Sequence, residues 1–236
     1  MTGPEPAEDD VVHRRRAVRR QALSVATATG LYGVSFGALA VAAGLSVWQA
    51  CALSLLMFTG GSQFAFVGVI GAGGTGVAAA ATAGLLGARN ALYGVAMAPL
   101  VGARGPRGWA AAQLTIDEST AVATAQGDPA DARAGFWWTG LGVFALWNAF
   151  TLLGALVGDA LGDPTRWGLD AAAGAAFLGL LWPRLAARTA QLVAAGAIAV
   201  ALLLTPLVPA GLPILAAAVV AVVVGWREPG PRLVAP

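Results

Sequence analysis

A short polar run interrupts the second apolar stretch of the chain. It consists of five consecutive residues: Thr59, Gly60, Gly61, Ser62 and Gln63. Paired glycines adopt backbone shapes that other residues avoid, so a helix can unwind here. Unwinding frees backbone N–H and C=O groups, and the positive end of the following half-helix suits a carboxylate. The run therefore predicts a binding site for a small charged substrate or, alternatively, a kinked helix packed closely on a neighbour.

A second polar group lies in the next apolar stretch and consists of Arg89, Asn90 and Tyr93. Arg89 and Tyr93 are four residues apart, so on a helix they share one face. An arginine at bilayer depth needs a partner or a water-filled cavity. Arg89 could bind a substrate carboxylate, pair with an acidic side chain, or extend to the membrane surface. All three residues are candidates for substrate binding.

Two adjacent carboxylates, Asp117 and Glu118, lie midway along a fourth apolar stretch. A carboxyl group shielded from water favours its neutral form, so either side chain could carry a coupling proton if the stretch is embedded in the membrane. If the stretch lies at the membrane surface, these are ordinary solvated charges. The residue types alone leave both interpretations open.

The composition indicates which elements position these groups. Hydrophobic residues make up 58% of the 236 residues and charged residues 11%, whereas soluble domains are about a quarter charged. A membrane-spanning helix needs about 20 mostly apolar residues. We predict an all-α polytopic membrane protein of seven to eight helical segments, of which one or two are discontinuous or re-entrant. The apolar stretches are 21–43, 47–70, 76–100, 109–126, 135–158, 168–186, 188–206 and 212–226.

The arginines indicate the orientation and the domain organisation. Five of them lie between Arg14 and Arg20, and positive residues flank membrane helices on the cytoplasmic side. We predict a disordered, basic cytoplasmic tail over 1–20, a single transmembrane transport domain over 21–226, and a short cytoplasmic tail over 227–236. The protein is predicted to lie in the inner membrane with both termini in the cytoplasm.

The loop with Arg104 and Arg107 leaves the topology open. Three full crossings before residue 101 would place both arginines outside. One solution has 109–126 crossing the membrane, which gives eight spans. In the other, one of the first three stretches is re-entrant and 109–126 lies at the cytoplasmic surface. We favour eight helical segments with one or two of them discontinuous.

Two pairs of small residues have the spacing of a close helix contact. Gly33 and Gly37 are four residues apart, as are Gly154 and Gly158. In lipid, such pairs allow two helix backbones to approach each other. They predict that the helices carrying them pack closely on neighbouring helices.

Several function classes are excluded by the residue inventory. Cys51 is the only cysteine, so an intrachain disulfide and a zinc site of several thiolates are ruled out, and His13 is the only histidine. The sequence has no P-loop or HExxH motif. We expect no enzyme activity, no cofactor and no metal site. Nucleic-acid binding is not expected either, because the arginines flank apolar stretches.

The polar groups occur in a recognisable order. Phe-Thr-Gly-Gly-Ser-Gln-Phe at 58–64 is followed by Arg-Asn-Ala-Leu-Tyr at 89–93 and by Pro99. Thr-Ile-Asp-Glu at 115–118 and Gly-Leu-Asp at 168–170 come next. In these motifs and their spacing, from about residue 23 to 226, the chain resembles the AzlC-type branched-chain amino acid exporters.

This resemblance implies a permease that exports branched-chain amino acids such as valine. It also implies a second, small membrane subunit of the AzlD type. The chain departs from the family pattern at two positions, where Gly87 replaces an asparagine and Asn90 a frequent histidine. A channel, a carrier of another small solute, and a membrane scaffold that transports nothing are the alternatives.

Overall fold

A computed structural model describes residues 8–161, 166, 178 and 181–227, and within them the regular elements are helical. The all-α prediction is confirmed for this part of the chain. The motif at 168–170 lies outside the described residues. The helices are α1 (Glu8–Ala42), α2 (Val47–Leu56), α3 (Gly61–Gly71), α4 (Gly76–Val101), α5 (Pro106–Gln113), α6 (Asp117–Thr124), α7 (Pro129–Leu161), a 3-10 helix (Trp182–Ala186), α8 (Arg188–Leu204) and α9 (Leu212–Arg227).

Two long helices form the centre of the fold. Within α1 and α7, the spans Val11–Ala42 and Pro129–Ala160 are each long and apolar enough to cross a membrane. At 1.5 Å per residue, each is about 48 Å long, which exceeds the roughly 30 Å of hydrocarbon in a bilayer. The two helices pack against each other along much of their length, and α2, α3, α4 and α6 each contact at least one of them.

The contact between α1 and α7 is made by glycines. Gly37 lies against the backbone carbonyl of Thr151, and Gly154 lies against the backbone of Val34, with no room for a Cβ at either position. Close approach of two backbones is what small residues at helical spacing allow. The predicted packing of the two glycine pairs is therefore confirmed. The other members of these pairs lie in the same interface: Gly33 and Gly158.

The short helices α2, α3 and α6 pack on the longer helices. α2 and α6 lie on α7, whereas α3 lies on α4. The buried hydroxyls of Ser54 on α2 and Thr151 on α7 form a hydrogen bond of 3.2 Å. Helices α8 and α9 pack on each other, and Gly211, just before α9, packs against Ala78 of α4.

Two of the predicted stretches are broken in the structure. The stretch 47–70 forms α2 and α3, and the stretch 109–126 forms α5 and α6. Within the described residues two segments are discontinuous, in agreement with the expectation of one or two. Because α2 packs mainly on α7 and α3 mainly on α4, with little contact between them, the two do not fold back on each other as a hairpin. Whether 109–126 crosses the membrane stays a prediction.

The basic tail differs from the sequence-based expectation. α1 begins at Glu8, so from that residue onward the tail predicted as disordered over 1–20 is helical. Val18 and Ala22 explain the difference, since both are buried, and Val18 packs at Gly135 of α7. Arg14 also forms an ion pair with Asp131 of α7 at 3.4 Å. Tertiary contacts thus extend the helix into a segment whose composition favours disorder.

Candidate functional site

The first break separates α2 from α3 at residues 57–60. Gly60 has φ of +58°, a left-handed conformation that glycine adopts without strain. The side chains that follow are enclosed by protein, since Ser62 is 1% exposed and Gln63 is fully buried. The prediction that this polar run breaks the helix and faces protein is confirmed.

Gln63 holds the two ends of the first break together. Its Nε2 donates to the Leu53 carbonyl in the last turn of α2 at 3.2 Å. Its Oε1 accepts from the Gly60 N–H at 3.1 Å. The amide therefore satisfies backbone groups on both sides of the break. In this conformation Gln63 supports the site, because both ends of its amide already have partners.

Ser62, at the first turn of α3, has a different environment. Its Oγ is buried and has no hydrogen-bond partner among the described residues. The side chain faces α4, where Gly87 lies directly opposite. A buried hydroxyl without a partner is costly, so this atom is a natural contact for a ligand. Thr59, by comparison, makes only a long contact of 3.5 Å with the Met57 carbonyl.

The second break lies at residues 114–116, between α5 and α6. Ser119 bridges it as Gln63 bridges the first: its Oγ accepts from the Ile116 N–H at 3.0 Å and donates to the Leu114 carbonyl at 2.6 Å. Asp117 and Glu118 are consequently the first two residues of α6. The sequence analysis missed this break, although acidic residues are enriched in the first turn of a helix.

Arg89 on α4 binds Asp117 at the start of α6. The Arg89 Nη2 lies 2.6 Å from Asp117 Oδ2, and Nε lies 3.1 Å from the same oxygen. Tyr93 donates its hydroxyl to Asp117 Oδ1 at 2.8 Å. Arg89 Nη1 donates to the Leu86 carbonyl at 2.9 Å. Of the three interpretations open for Arg89, the structure shows the ion pair.

Glu118 differs from Asp117 in its contacts. Its carboxyl group lies within electrostatic range of Arg89 and, more weakly, of the Thr29 hydroxyl on α1. Among the described residues no arginine nitrogen lies within 4 Å of its carboxyl oxygens. The two adjacent acids therefore differ: Asp117 forms an ion pair with Arg89, and Glu118 does not.

The two breaks lie next to each other. Gln113, the last residue of α5, donates from Nε2 to the Leu55 carbonyl near the end of α2 at 2.8 Å. Both breaks also rest on α7, where Gly140 lies against Leu114 and the Trp147 ring lies at Gly60. Groups from three separate stretches of sequence therefore meet in one region. Gln113 carries no signal in the sequence that would have revealed this role.

The last predicted residue, Asn90, lies on α4 next to Arg89. Its Oδ1 is buried and has no hydrogen-bond partner among the described residues. Asn90 and Gly87 are three residues apart, so they share a face of α4. At the start of α3, backbone N–H groups and the Ser62 hydroxyl form a set of donors that can bind an anion. The Asn90 carbonyl oxygen is a buried acceptor one helical turn from Gly87 on α4.

Comparison with known proteins identifies the relationship. The AzlC protein family matches residues 24–161, which is more than half of the chain and includes both long helices and both breaks. No curated protein matches the chain, and no solved structure matches it. From the extent of the family match, the chain belongs to the AzlC family.

Proposed function

We propose that this protein is a multi-pass inner-membrane secondary transporter that exports branched-chain amino acids such as valine. Membership of the AzlC family supports amino acid transport. The apolar helices support a location in the membrane, with α1 and α7 long enough to cross it. In this proposal both termini lie in the cytoplasm, and a small AzlD-type membrane subunit assembles with the chain.

One observation carries the proposal: a helix break is enclosed by protein, and a buried hydroxyl beside it has no partner within the described part of the chain. In the first turn of α3 the Gln63 N–H donates to the Gly60 carbonyl at 3.0 Å, whereas the N–H groups of Gly61 and Ser62 have no carbonyl acceptor within their own helix. Together with the Ser62 hydroxyl they would bind the substrate carboxylate, which the positive end of α3 also favours. Gly60 and Gly61 supply the backbone freedom, and Thr59 borders the break.

The other polar residues divide between binding and support. The carbonyl oxygen of Asn90 would accept from the substrate ammonium group. Arg89 and Tyr93 act through Asp117, because both already bind its carboxylate. Gln63 fixes the shape of the break by bonding to the backbone on both sides.

The coupling proton belongs to Glu118 in this proposal. Asp117 binds Arg89, and that ion pair favours its ionised form. Glu118 has no such cation within 4 Å among the described residues. Glu118 is also the second residue of α6, directly after the second break. Its protonation can therefore be coupled to movement of α5 and α6.

Efflux of labelled valine from proteoliposomes tests the proposal. The chain is reconstituted with its small subunit, and wild type is compared with Ser62→Ala, Gln63→Ala and Arg89→Ala. Gln191→Ala is the control, because this exposed glutamine donates its side-chain amide to the Leu185 carbonyl and lies on α8, which carries none of the proposed site residues. We expect valine efflux from wild type and the control and a large loss in the three variants. Wild-type efflux from all three folded variants would remove the site assignment.

A further inference from the structure

Two arginines near the start of α1 lie on the side of the helix that faces away from α7. Arg16 and Arg20 are four residues apart, so they share one face. Because one helical turn takes 3.6 residues, this face is nearly opposite that of Val18 and Ala22, which are buried. Both arginines are exposed, and no carboxyl oxygen of a described residue lies within 4 Å of either guanidinium. Their charges are therefore available to a partner outside the chain.

Trp138 on α7 indicates the depth of these arginines in the membrane. Its side chain is 49% exposed, and the Arg19 guanidinium lies 5.6 Å from the centroid of its ring. Tryptophan is enriched at the boundary between lipid and water. From Arg19 to Ala42, where α1 ends, the helix rises about 35 Å, close to the roughly 30 Å of hydrocarbon in a bilayer. Arg16 and Arg20 are within one turn of Arg19, so they lie at the level of the lipid headgroups.

The same face of α1 becomes apolar directly after the arginines. Leu23, Thr27 and Leu31 follow Arg20 at intervals of three and four residues, so they continue its face, and all three are exposed. The Thr27 hydroxyl donates to the Leu23 carbonyl at 2.9 Å, so its hydrogen bond is satisfied within the helix. The face thus combines two cations at headgroup level with an aliphatic surface at the depth of the acyl chains.

We propose that this face of α1 binds an anionic phospholipid of the cytoplasmic leaflet. The lipid phosphate lies between Arg16 and Arg20, whose guanidinium groups match phosphate in charge and geometry. One acyl chain lies along Leu23 and Leu31. Arginines directly cytoplasmic of a membrane helix attract anionic lipids, whereas a zwitterionic lipid carries a cation beside its phosphate. This interaction goes beyond amino acid transport and rests only on the proposed placement of the chain in the membrane.

Binding of a fluorescent phosphatidylglycerol to the purified full-length chain in neutral detergent tests the proposal. The double variant Arg16→Gln with Arg20→Gln removes both cations and keeps residues that favour a helix. Its dissociation constant for the lipid should rise at least about tenfold. Arg104→Gln with Arg107→Gln is the matched control, because it removes two exposed arginines outside α1. This control should bind the lipid as wild type does; equal affinity in the two double variants would overturn the assignment to α1.

Competition on the wild-type chain tests the class of ligand without any substitution. Unlabelled phosphatidylglycerol should displace the label, and phosphatidylcholine should do so only at concentrations at least about tenfold higher, because its headgroup has no net charge. Soluble glycerol 3-phosphate should be similarly weak, because it has no acyl chain for Leu23 and Leu31. Equal competition by phosphatidylcholine would refute recognition of the anionic headgroup. Equal competition by glycerol 3-phosphate would identify a site for soluble phosphate compounds and overturn the lipid.

Discussion

Arg89 and Asp117 form an ion pair of 2.6 Å between the middle of α4 and the first residue of α6. Both side chains are about one-fifth exposed, at 19% each, so the pair is largely shielded from water. It fixes the start of α6 against α4, and with it the second break. The first prediction follows from this pair.

Replacing Arg89 with glutamine should destabilise the protein, because Asp117 would keep its charge without a cation. We expect a loss of about 2–3 kcal/mol, below the range for a fully buried pair because of the partial exposure. The double variant Arg89→Gln with Asp117→Asn should recover much of this loss. Thermal unfolding in detergent provides the measurement. A double variant no more stable than Arg89→Gln would show that the charge left on Asp117 is not the cause.

The two adjacent acids should respond differently to substitution. Glu118→Gln should abolish the dependence of valine efflux on a proton gradient and leave valine exchange across the membrane intact. Asp117→Asn should impair both, because Arg89 and Tyr93 lose the carboxylate that they bind. Flux measured with and without an imposed pH gradient separates the two effects. Gradient-driven efflux in Glu118→Gln equal to that of wild type would refute the assignment of the proton.

The interface between α1 and α7 should not tolerate a methyl group at Gly154. A Cβ there collides with the backbone of Val34, which cannot move aside as a flexible side chain would. Overpacking of this kind costs about 1–3 kcal/mol. Gly68→Ala is the control, since a Cβ at Gly68 has no atom of a described residue within 4 Å. Gly154→Ala should lower the midpoint of thermal unfolding, and Gly68→Ala should not; equal midpoints would contradict the close packing.

The start of α7 should become less stable at acid pH. Asp128 Oδ1 accepts from the N–H groups of Asp131 and Ala130 at 3.1 and 2.8 Å, and these bonds lower the pKa of Asp128 from its ordinary value of 3.8. A lowered folded-state pKa means that the stabilisation is present above about pH 4 and is lost as the pH falls through the folded-state value.

Asp128→Asn provides the comparison for this pH effect. Asparagine also caps a helix N-terminus well, so the variant should resemble wild type at pH 7. Between pH 5 and 3 its amide exchange in the first turn of α7 should change less than that of wild type. Parallel exchange curves for the two proteins would exclude Asp128 as the titrating group.

The loop between α4 and α5 decides the topology. With eight crossings, it lies outside the cell. In a background in which Cys51 is replaced by alanine, Ala103→Cys should react with a membrane-impermeant thiol reagent added to intact cells. Protection in intact cells with labelling after lysis would place the loop in the cytoplasm and rule out eight full crossings.

Some features of this protein follow from its sequence alone. The paired glycines in a polar run predict the break between α2 and α3, since only local backbone freedom is needed to form it. The spacing of Gly33 with Gly37 and of Gly154 with Gly158 predicts a helix contact, because helical periodicity places each pair on one face. The motif order identifies the family before any coordinates are considered.

Other features depended on the tertiary structure. The sequence left several partners open for Arg89, and only the placement of α6 beside α4 selects Asp117. It also could not show that Gln63 bonds to backbone on both sides of the break, or that Gly87 faces Ser62. The physical reason is that contacts and hydrogen bonds between segments distant in sequence depend on where the helices pack. Local sequence sets where a helix begins and ends, and packing decides which buried polar atoms find a partner and which are left for a ligand.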